Sequence, residues 1–216
     1  MSVYTLKDSP YSSHQRLLAL LDPARDGRRL LDVGCGNGFL SRLLAAKGFS
    51  VTGIEHSLGF DGPPPAIVHD LELPLPSLPG PFDVIVIGDV LEHLRQPDTL
   101  LRQLLPHLAP GGKILASLPN SGNLYFRLHI LLGSFPEHDK GLFDRTHLHF
   151  WMLRNWRNLF DRSGYSFSLA DVTGIPVGLA IPALSWLEAL CYHLARAWKT
   201  LLAYQFLVVA NRKSSS

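Results

Sequence analysis

Three glycines at alternate positions, Gly34, Gly36 and Gly38, follow the apolar run Leu30-Leu31-Asp32-Val33. A helical pattern from Phe39 to Lys47 begins at once. A short apolar run of this kind reads as a buried parallel strand. Glycines without a Cβ let the backbone take positive φ and approach a ligand. The helix that follows offers unpaired N–H groups at its N-terminus. Strand, glycine turn and helix together form a nucleotide-type cofactor site and commit the chain to an α/β architecture.

The identity of the ligand depends on two residues. Dinucleotide sites use G-x-G-x-x-G with a pyrophosphate on the helix N-terminus. Here the spacing is G-x-G-x-G, and Phe39 stands where the last glycine of that pattern would be. Asp32, two residues before Gly34, would repel a pyrophosphate but suits a cation. S-adenosylmethionine carries an ammonium and a sulfonium and no phosphate. The segment Leu31 to Gly38 resembles the first motif of class I S-adenosylmethionine-dependent methyltransferases. The resemblance runs from about residue 28 to about residue 170.

The order of elements fits. Phe49 to Ile54 reads as a second strand, with Glu55 at its end, where an acid can accept both ribose hydroxyls. Ala66 to Val68 is a short third strand after the stiff loop Gly62 to Pro65. In the family an acid after the third strand bonds the adenine amino group, which implies that role for Asp70, with Leu71 framing the ring. Phe82 to Ile87 is a strong fourth strand leading into Gly88-Asp89-Val90-Leu91-Glu92-His93. Pro97 opens a helix with a leucine stripe, Pro110 to Gly112 is expected to turn, and Lys113 to Ser117 is a fifth strand. Repeated β-α units with short turns imply a parallel sheet with helices on both faces. Tyr165 to Val172 and Tyr204 to Ala210 complete the set as sixth and seventh strands. The resemblance implies a Rossmann-like, seven-stranded, mostly parallel α/β sheet with an antiparallel last strand.

One domain over 1–216 is expected. It comprises an N-terminal helix region (1–29), a cofactor-binding core (30–120), a substrate-side cap (121–150) and a helical insert (174–203). In the N-terminal helix His14 and Arg16 are candidates to touch ligand. The cofactor set is Asp32, Gly34, Cys35, Gly36, Gly38, Glu55, Asp70, Leu71 and Gly88, and the cofactor is S-adenosylmethionine.

Methyl transfer to a hydroxyl needs a positioned acceptor and help with its proton. His93, His138, His147 and His149 are candidate bases, and His93 and His147 are preferred. Asp89-x-x-Glu92-His93 with the distant His147 also resembles the E-x-x-E-H plus histidine set of metal-dependent small-RNA 2′-O-methyltransferases. Ubiquinone-pathway O-methyltransferases carry a similar motif. Carboxylates with histidine suit Mg²⁺ or Mn²⁺. Asp89 is a shorter substitute for the first Glu, so no metal is assigned. Asp89, Glu92, His93 and His147 remain the candidates should one bind. Asp144 to Phe150 resembles the D-x-T-H-L-x-F segment of bacterial methyltransferases of glycan, lipid and quinone pathways.

The resulting expectation is O-methylation of a small-molecule, glycan or lipid-linked acceptor. The rivals are a metal-assisted methyltransferase, a cofactor-binding protein without transfer activity, and an NAD-dependent oxidoreductase, which the glycine spacing and Asp32 oppose. A net charge of +2 and the lack of a basic run argue against nucleic acid. With 46% hydrophobic and only 18% charged residues, the chain has apolar surface to spend on a partner. The helical spacing of Leu184, Leu187, Cys191, Leu194, Trp198 and Leu201 points to a homodimer face or a peripheral membrane contact through 174–203. The two cysteines, Cys35 and Cys191, suggest no disulfide framework. Neither a signal peptide nor a spanning helix is evident, so the expected location is cytoplasmic, extending to the inner membrane face if the insert meets lipid.

Overall fold

The computed structural model describes residues 9–24, 27–57, 64–176 and 184–213. Gly62 and Pro63 of the expected stiff loop lie outside them, as do 1–8 and 25–26 of the N-terminal region and 177–183 of the insert. The elements run α1 (Ser13–Ala19), β1 (Arg29–Val33), α2 (Phe39–Ala46), β2 (Ser50–Glu55), β3 (Ala66–Val68), β4 (Phe82–Gly88), α3 (Pro97–Leu104), β5 (Leu108–Pro119), α4 (Leu124–Leu131), α5 (Leu153–Arg162), β6 (Tyr165–Thr173), α6 (Leu187–Ala197), α7 (Lys199–Leu202) and β7 (Gln205–Arg212).

The seven strands form one sheet in the order β3-β2-β1-β4-β5-β7-β6. β1 pairs in parallel with β2 on one side and with β4 on the other. β7 is antiparallel to both β5 and β6, as the resemblance implied. Side chains alternate across a strand, so neighbouring residues feed two separate cores. Leu30, Val84 and Val86 pack with Leu17, Leu40 and Leu44 on one face. Leu31, Val33, Ile85 and Ile87 pack with Leu100, Leu104, Trp156 and Phe160 on the other. Burial of both faces explains why β1 and β4 read as near-continuous apolar runs.

Two boundaries differ from expectation. Pro110 to Gly112 does not turn the chain; it lies inside the longer β5. The register against β4 shifts between Phe82 and Val84, with Leu108 opposite Phe82 and Lys113 opposite Val84. The proline and glycines therefore make a bulge, which can be mistaken for a turn because both require the same residues. The seventh strand, expected over Tyr204 to Ala210, runs from Gln205 to Arg212.

The N-terminal helix is tied to the far end of the chain. Arg16 donates to Asp171 of β6 through both Nε (2.7 Å) and Nη2. The Tyr192 hydroxyl of α6 donates to the same carboxylate at 3.1 Å. The guanidinium lies 4.9 Å above the Tyr192 ring, and Tyr11 packs against that ring at 5.0 Å. Arg16 thus anchors the N-terminal helix to β6 and α6. Cys35 and Cys191 are both free thiols. Among the described residues no helix is long and apolar enough to cross a membrane.

α5 is held by Trp156, which is fully buried, donates from Nε1 to the Pro119 carbonyl at 2.9 Å, and meets Trp151 edge-on at 4.9 Å. Trp156→Ala leaves a cavity and an unpaired carbonyl. It is expected to cost about 3–5 kcal/mol in urea unfolding, as large aromatic truncations do. A loss below ~1 kcal/mol would contradict this packing.

Candidate active site

The glycine turn lies at the C-terminal end of β1, beside the C-terminal end of β4. Gly34, Gly36 and Gly38 all have left-handed backbone, with φ of 72°, 55° and 71°. Their surroundings differ. A Cβ on Gly34 would sit 2.4 Å from Val90 Cγ2, so this glycine is required by close packing against the segment after β4. A Cβ on Gly36 would meet nothing within 4 Å, so its side of the turn opens onto free space. The amides of Gly34 and Cys35 donate to the Ile54 carbonyl at 2.8 and 3.2 Å, which fastens the turn to β2.

Glu55, at the end of β2, faces this turn. Its Oε2 accepts from the Gly36 amide at 2.7 Å and its Oε1 from the His56 amide at 2.8 Å. Asp32 lies beneath the turn, 2% exposed, and accepts from the Ser41 hydroxyl at 2.5 Å. Burial pushes its carboxyl up to about 6; the Ser41 bond opposes this and the charge of Glu55 adds to it. Cys35 is buried against Gly53, where a Cβ would lie 2.7 Å from its Sγ. Burial, with Asp32 and Glu55 nearby, pushes the thiol up to about 12, so Cys35 is not a nucleophile at neutral pH. His14 of α1 reaches the start of α2, its ring 6.4 Å from that of Phe39.

Beyond β3 and β4 lies a cleft of about 630 Å³. Asp70, Leu71 and Glu72 line one side, His93, Arg95, Gln96 and Thr99 another, and Thr146 and Leu148 the cap. Two of the predicted cofactor residues and one predicted base therefore share one cavity. The Oδ1 of Asp70 accepts from the Glu72 amide at 2.9 Å, holding the loop that lines it. Gly88 ends β4, and no backbone lies within 4 Å of where its Cβ would be, only the Ser117 hydroxyl and a Leu40 methyl.

The histidines sort into two groups. His149 stacks on Trp151 at 4.2 Å and its Nε2 contacts the Leu94 carbonyl at 2.9 Å, a packing role. His138 bridges to Asp144 and lies edge-on to Phe143. His93 and His147 instead meet each other at 4.8 Å between ring centroids. The Thr146 hydroxyl donates to Asp144 Oδ1 at 2.6 Å and is 3.0 Å from His93 Nδ1. With its proton directed to Asp144, that hydroxyl can only accept from His93. Nδ1 therefore carries the proton of the neutral ring, and Nε2 is left as the basic atom. Burial raises the Asp144 carboxyl, but two bonds from Thr146 and the nearby His147 and His93 outweigh this and hold it below the usual range. Thr146 was not singled out from sequence. Its only signal is its place in the D-x-T-H-L-x-F segment.

Glu92 is 1% exposed, and its Oε2 has no hydrogen-bond partner. Its Oε1 lies 3.9 Å from His147 Nε2, a spacing that by itself suggests an ion pair. The electrostatics oppose one. Burial, then the charges of Asp89 and Asp144, raises the Glu92 carboxyl well above its usual value. Burial and the neighbouring His93 lower His147 to about 4. His147 is therefore neutral at pH 7, and burial disfavours the ionised form of Glu92. Ligand atoms from Glu92, His93 and His147 lie within 4.8 Å of one another. Asp89 does not join them. It holds a left-handed backbone (φ 54°), and its Oδ1 accepts from Ser117 at 2.8 Å and Gln205 at 2.7 Å.

His147 sets a pH dependence. The unfolded chain protonates it near 6.5, whereas the folded chain does so only near 4, so acidification across that interval favours unfolding. Asp32 acts with the opposite sign between 3.8 and about 6. Comparison with His147→Asn isolates the histidine. The variant is expected to lose less stability than the parent between pH 7 and pH 5, measured by urea midpoints. Parallel losses in the two proteins would contradict the assignment.

The family model described as a methyltransferase domain matches residues 7–167. The ubiquinone biosynthesis O-methyltransferase of Xanthomonas axonopodis pv. citri is 32% identical over 165 residues, covering 68% of each chain. The enzyme of the same name from Caulobacter sp. is 37% identical over 109 residues, but the match spans only 44% of this chain and 42% of that one. A crystal structure of a SAM-dependent methyltransferase from Archaeoglobus fulgidus superposes with a TM-score of 0.61 at 17% identity, covering 93% of this chain and 92% of the other. Glycine turn, strand order and family match agree: the chain belongs to the class I S-adenosylmethionine-dependent methyltransferases.

Proposed function

We propose that the protein transfers a methyl group from S-adenosylmethionine to a hydroxyl of a small-molecule, glycan or lipid-linked acceptor. The observation that carries this reading is the meeting of the open glycine turn and the His93 cleft at the ends of adjacent strands β1 and β4. The strand order reverses there, which is where α/β sheets bind ligands. Relatives named for ubiquinone O-methylation support a hydroxyl acceptor.

The site fits the cofactor. Gly36 leaves room, Glu55 can accept two ribose hydroxyls, and Asp70 with Leu71 lines the side of the cleft that would take the adenine. Asp32 acts from beneath, holding Ser41 and the turn, while the backbones of Gly34, Cys35, Gly38 and Gly88 shape the floor. When bound, S-adenosylmethionine supplies an electrophilic methyl on a sulfonium. The chain's own residues do the rest. His93 accepts the hydroxyl proton at Nε2 while Asp144 and Thr146 fix its tautomer. His147, uncharged at pH 7, packs edge-on against His93, with Glu92 buried beside it. In this reading 30–120 is the cofactor core, 121–150 the substrate-side cap, and 174–203 a buttress to that cap in a single cytoplasmic domain.

Gly36→Val places a branched side chain at a left-handed position in open space. It is expected to abolish S-adenosylmethionine binding in calorimetry while leaving the unfolding midpoint within a few degrees. Normal binding would defeat the cofactor assignment. His93→Ala is expected to retain cofactor affinity and lower turnover on an acceptor panel by about 10²–10⁴-fold, the usual worth of a general base. Undiminished turnover would remove His93 from the chemistry. Cofactor binding with no turnover in the parent would favour a binding protein.

A second reading, metal assistance, has one observation in its favour: the buried, unpartnered Glu92 Oε2 beside the imidazoles of His93 and His147. A divalent cation would ionise Glu92 and be held by Glu92, His93 and His147, without Asp89. Titration with Mg²⁺ and Mn²⁺ in the presence of cofactor tests it. Heat lost in Glu92→Gln supports it, and no heat in the parent rejects it.

A further inference from the structure

We propose that α4 and the turn after it form a wedge that inserts into an anionic phospholipid leaflet. Of the eight residues of α4, only Phe126 is buried. Leu131 and Leu132 are each 80% exposed, and Leu128, Ile130 and Phe135 are close to half exposed. An apolar surface of this size on one short segment needs a partner.

The wedge is rigid at its root and bare at its tip. Asn123 caps the helix by accepting from the Tyr125 amide at 2.9 Å, and its amide group donates to the Ala203 carbonyl at 2.8 Å. Phe126 stacks on Phe143 at 4.5 Å. Gly133, with φ 68°, ends the helix just past the two exposed leucines. The tip therefore projects without being loose.

Charge and shape select the occupant. From Ser121 to Pro136 there is no acidic residue, while Arg127 and His129 lie on the helix itself. The Arg127 guanidinium beside an apolar ridge matches an anionic lipid surface. A stable protein interface requires roughly 800 Å² per partner of well-fitted surface. A projecting pair of leucines offers little of that, whereas acyl chains flow around any shape.

The wedge leads to the site. Phe126, Phe135 and Phe150 form a chain of ring contacts, at 6.1 Å and 5.2 Å, and Phe150 lies 6.1 Å from His147. An acceptor dissolved in the leaflet would reach the histidines along this aromatic wall. This last step rests on the methyl-transfer reading; membrane docking does not.

Co-sedimentation with vesicles of phosphatidylcholine alone, and of phosphatidylcholine with phosphatidylglycerol, tests the wedge. The parent is expected to bind the anionic vesicles, and L131E/L132E to lose at least ~10-fold in bound fraction. Leu73→Glu, which changes an exposed leucine elsewhere, is expected to bind like the parent. Absence of parent binding, or equal binding by the double variant, overturns the proposal. So does a dimer on size exclusion that the double variant dissolves, which would assign the tip to a second copy. Calorimetry with S-adenosylmethionine on the same preparations separates the two ideas. A double variant that binds cofactor is folded, and a parent that docks on vesicles without binding cofactor defeats only the methyl-transfer reading.

Discussion

The parallel pairing of β1 with β4 is the constraint on which the remaining structure depends. It brings Val33 opposite Ile87, so the glycine turn and the Asp89 corner leave the sheet side by side. Both corners need left-handed backbone, one from glycines and one from an aspartate that the neighbouring strands hold in place. Ser117 of β5 and Gln205 of β7 grip the Asp89 carboxylate. Two strands beyond β4 thus help to shape a corner that β4 alone would not sustain, since a non-glycine residue at positive φ carries a strain cost.

The charges follow from that geometry. Four acids, Asp32, Asp89, Glu92 and Asp144, crowd the ends of β1 and β4 and the cap. They cannot all be ionised in a low-dielectric space. Asp144 stays ionised because Thr146 bonds it twice, and burial, with the charge of Asp89, holds the Glu92 carboxyl well above its usual range. Environments that push carboxyl groups apart in this way are typical of sites that handle protons. His93 gains its direction from Asp144 through Thr146, and His147, buried among the same groups, remains uncharged.

Much of the frame was legible in the residues. Strand runs, the glycine turn and the leucine stripe of α3 are local patterns, and each appears where its periodicity places it. What was hidden depends on distant partners. His93 and Thr146 are 53 residues apart, Asp89 and Gln205 are 116 apart, and no local pattern reveals that either pair meets. Asp89 looked like a ligand beside Glu92 because sequence spacing shows proximity along a turn but not the direction a side chain takes. The bulge in β5 was missed for a different reason: proline and glycine mark both ends of strands and irregularities within them. His138 and His149 share a candidate list with the preferred His93 and His147, and it is their ring partners that set them apart.

The clasp of Arg16, Asp171 and Tyr192 bears on the life of the chain before it is an enzyme. The carboxylate that anchors Arg16 is made 155 residues after it. At ordinary synthesis rates of about 5–20 residues per second, the first helix waits for many seconds without its anchor. Leu17 and Leu21, which belong to the core beneath it, stay uncovered for the same interval. A nascent chain of this design therefore leaves α1 open until β6 and α6 have been made to close over it.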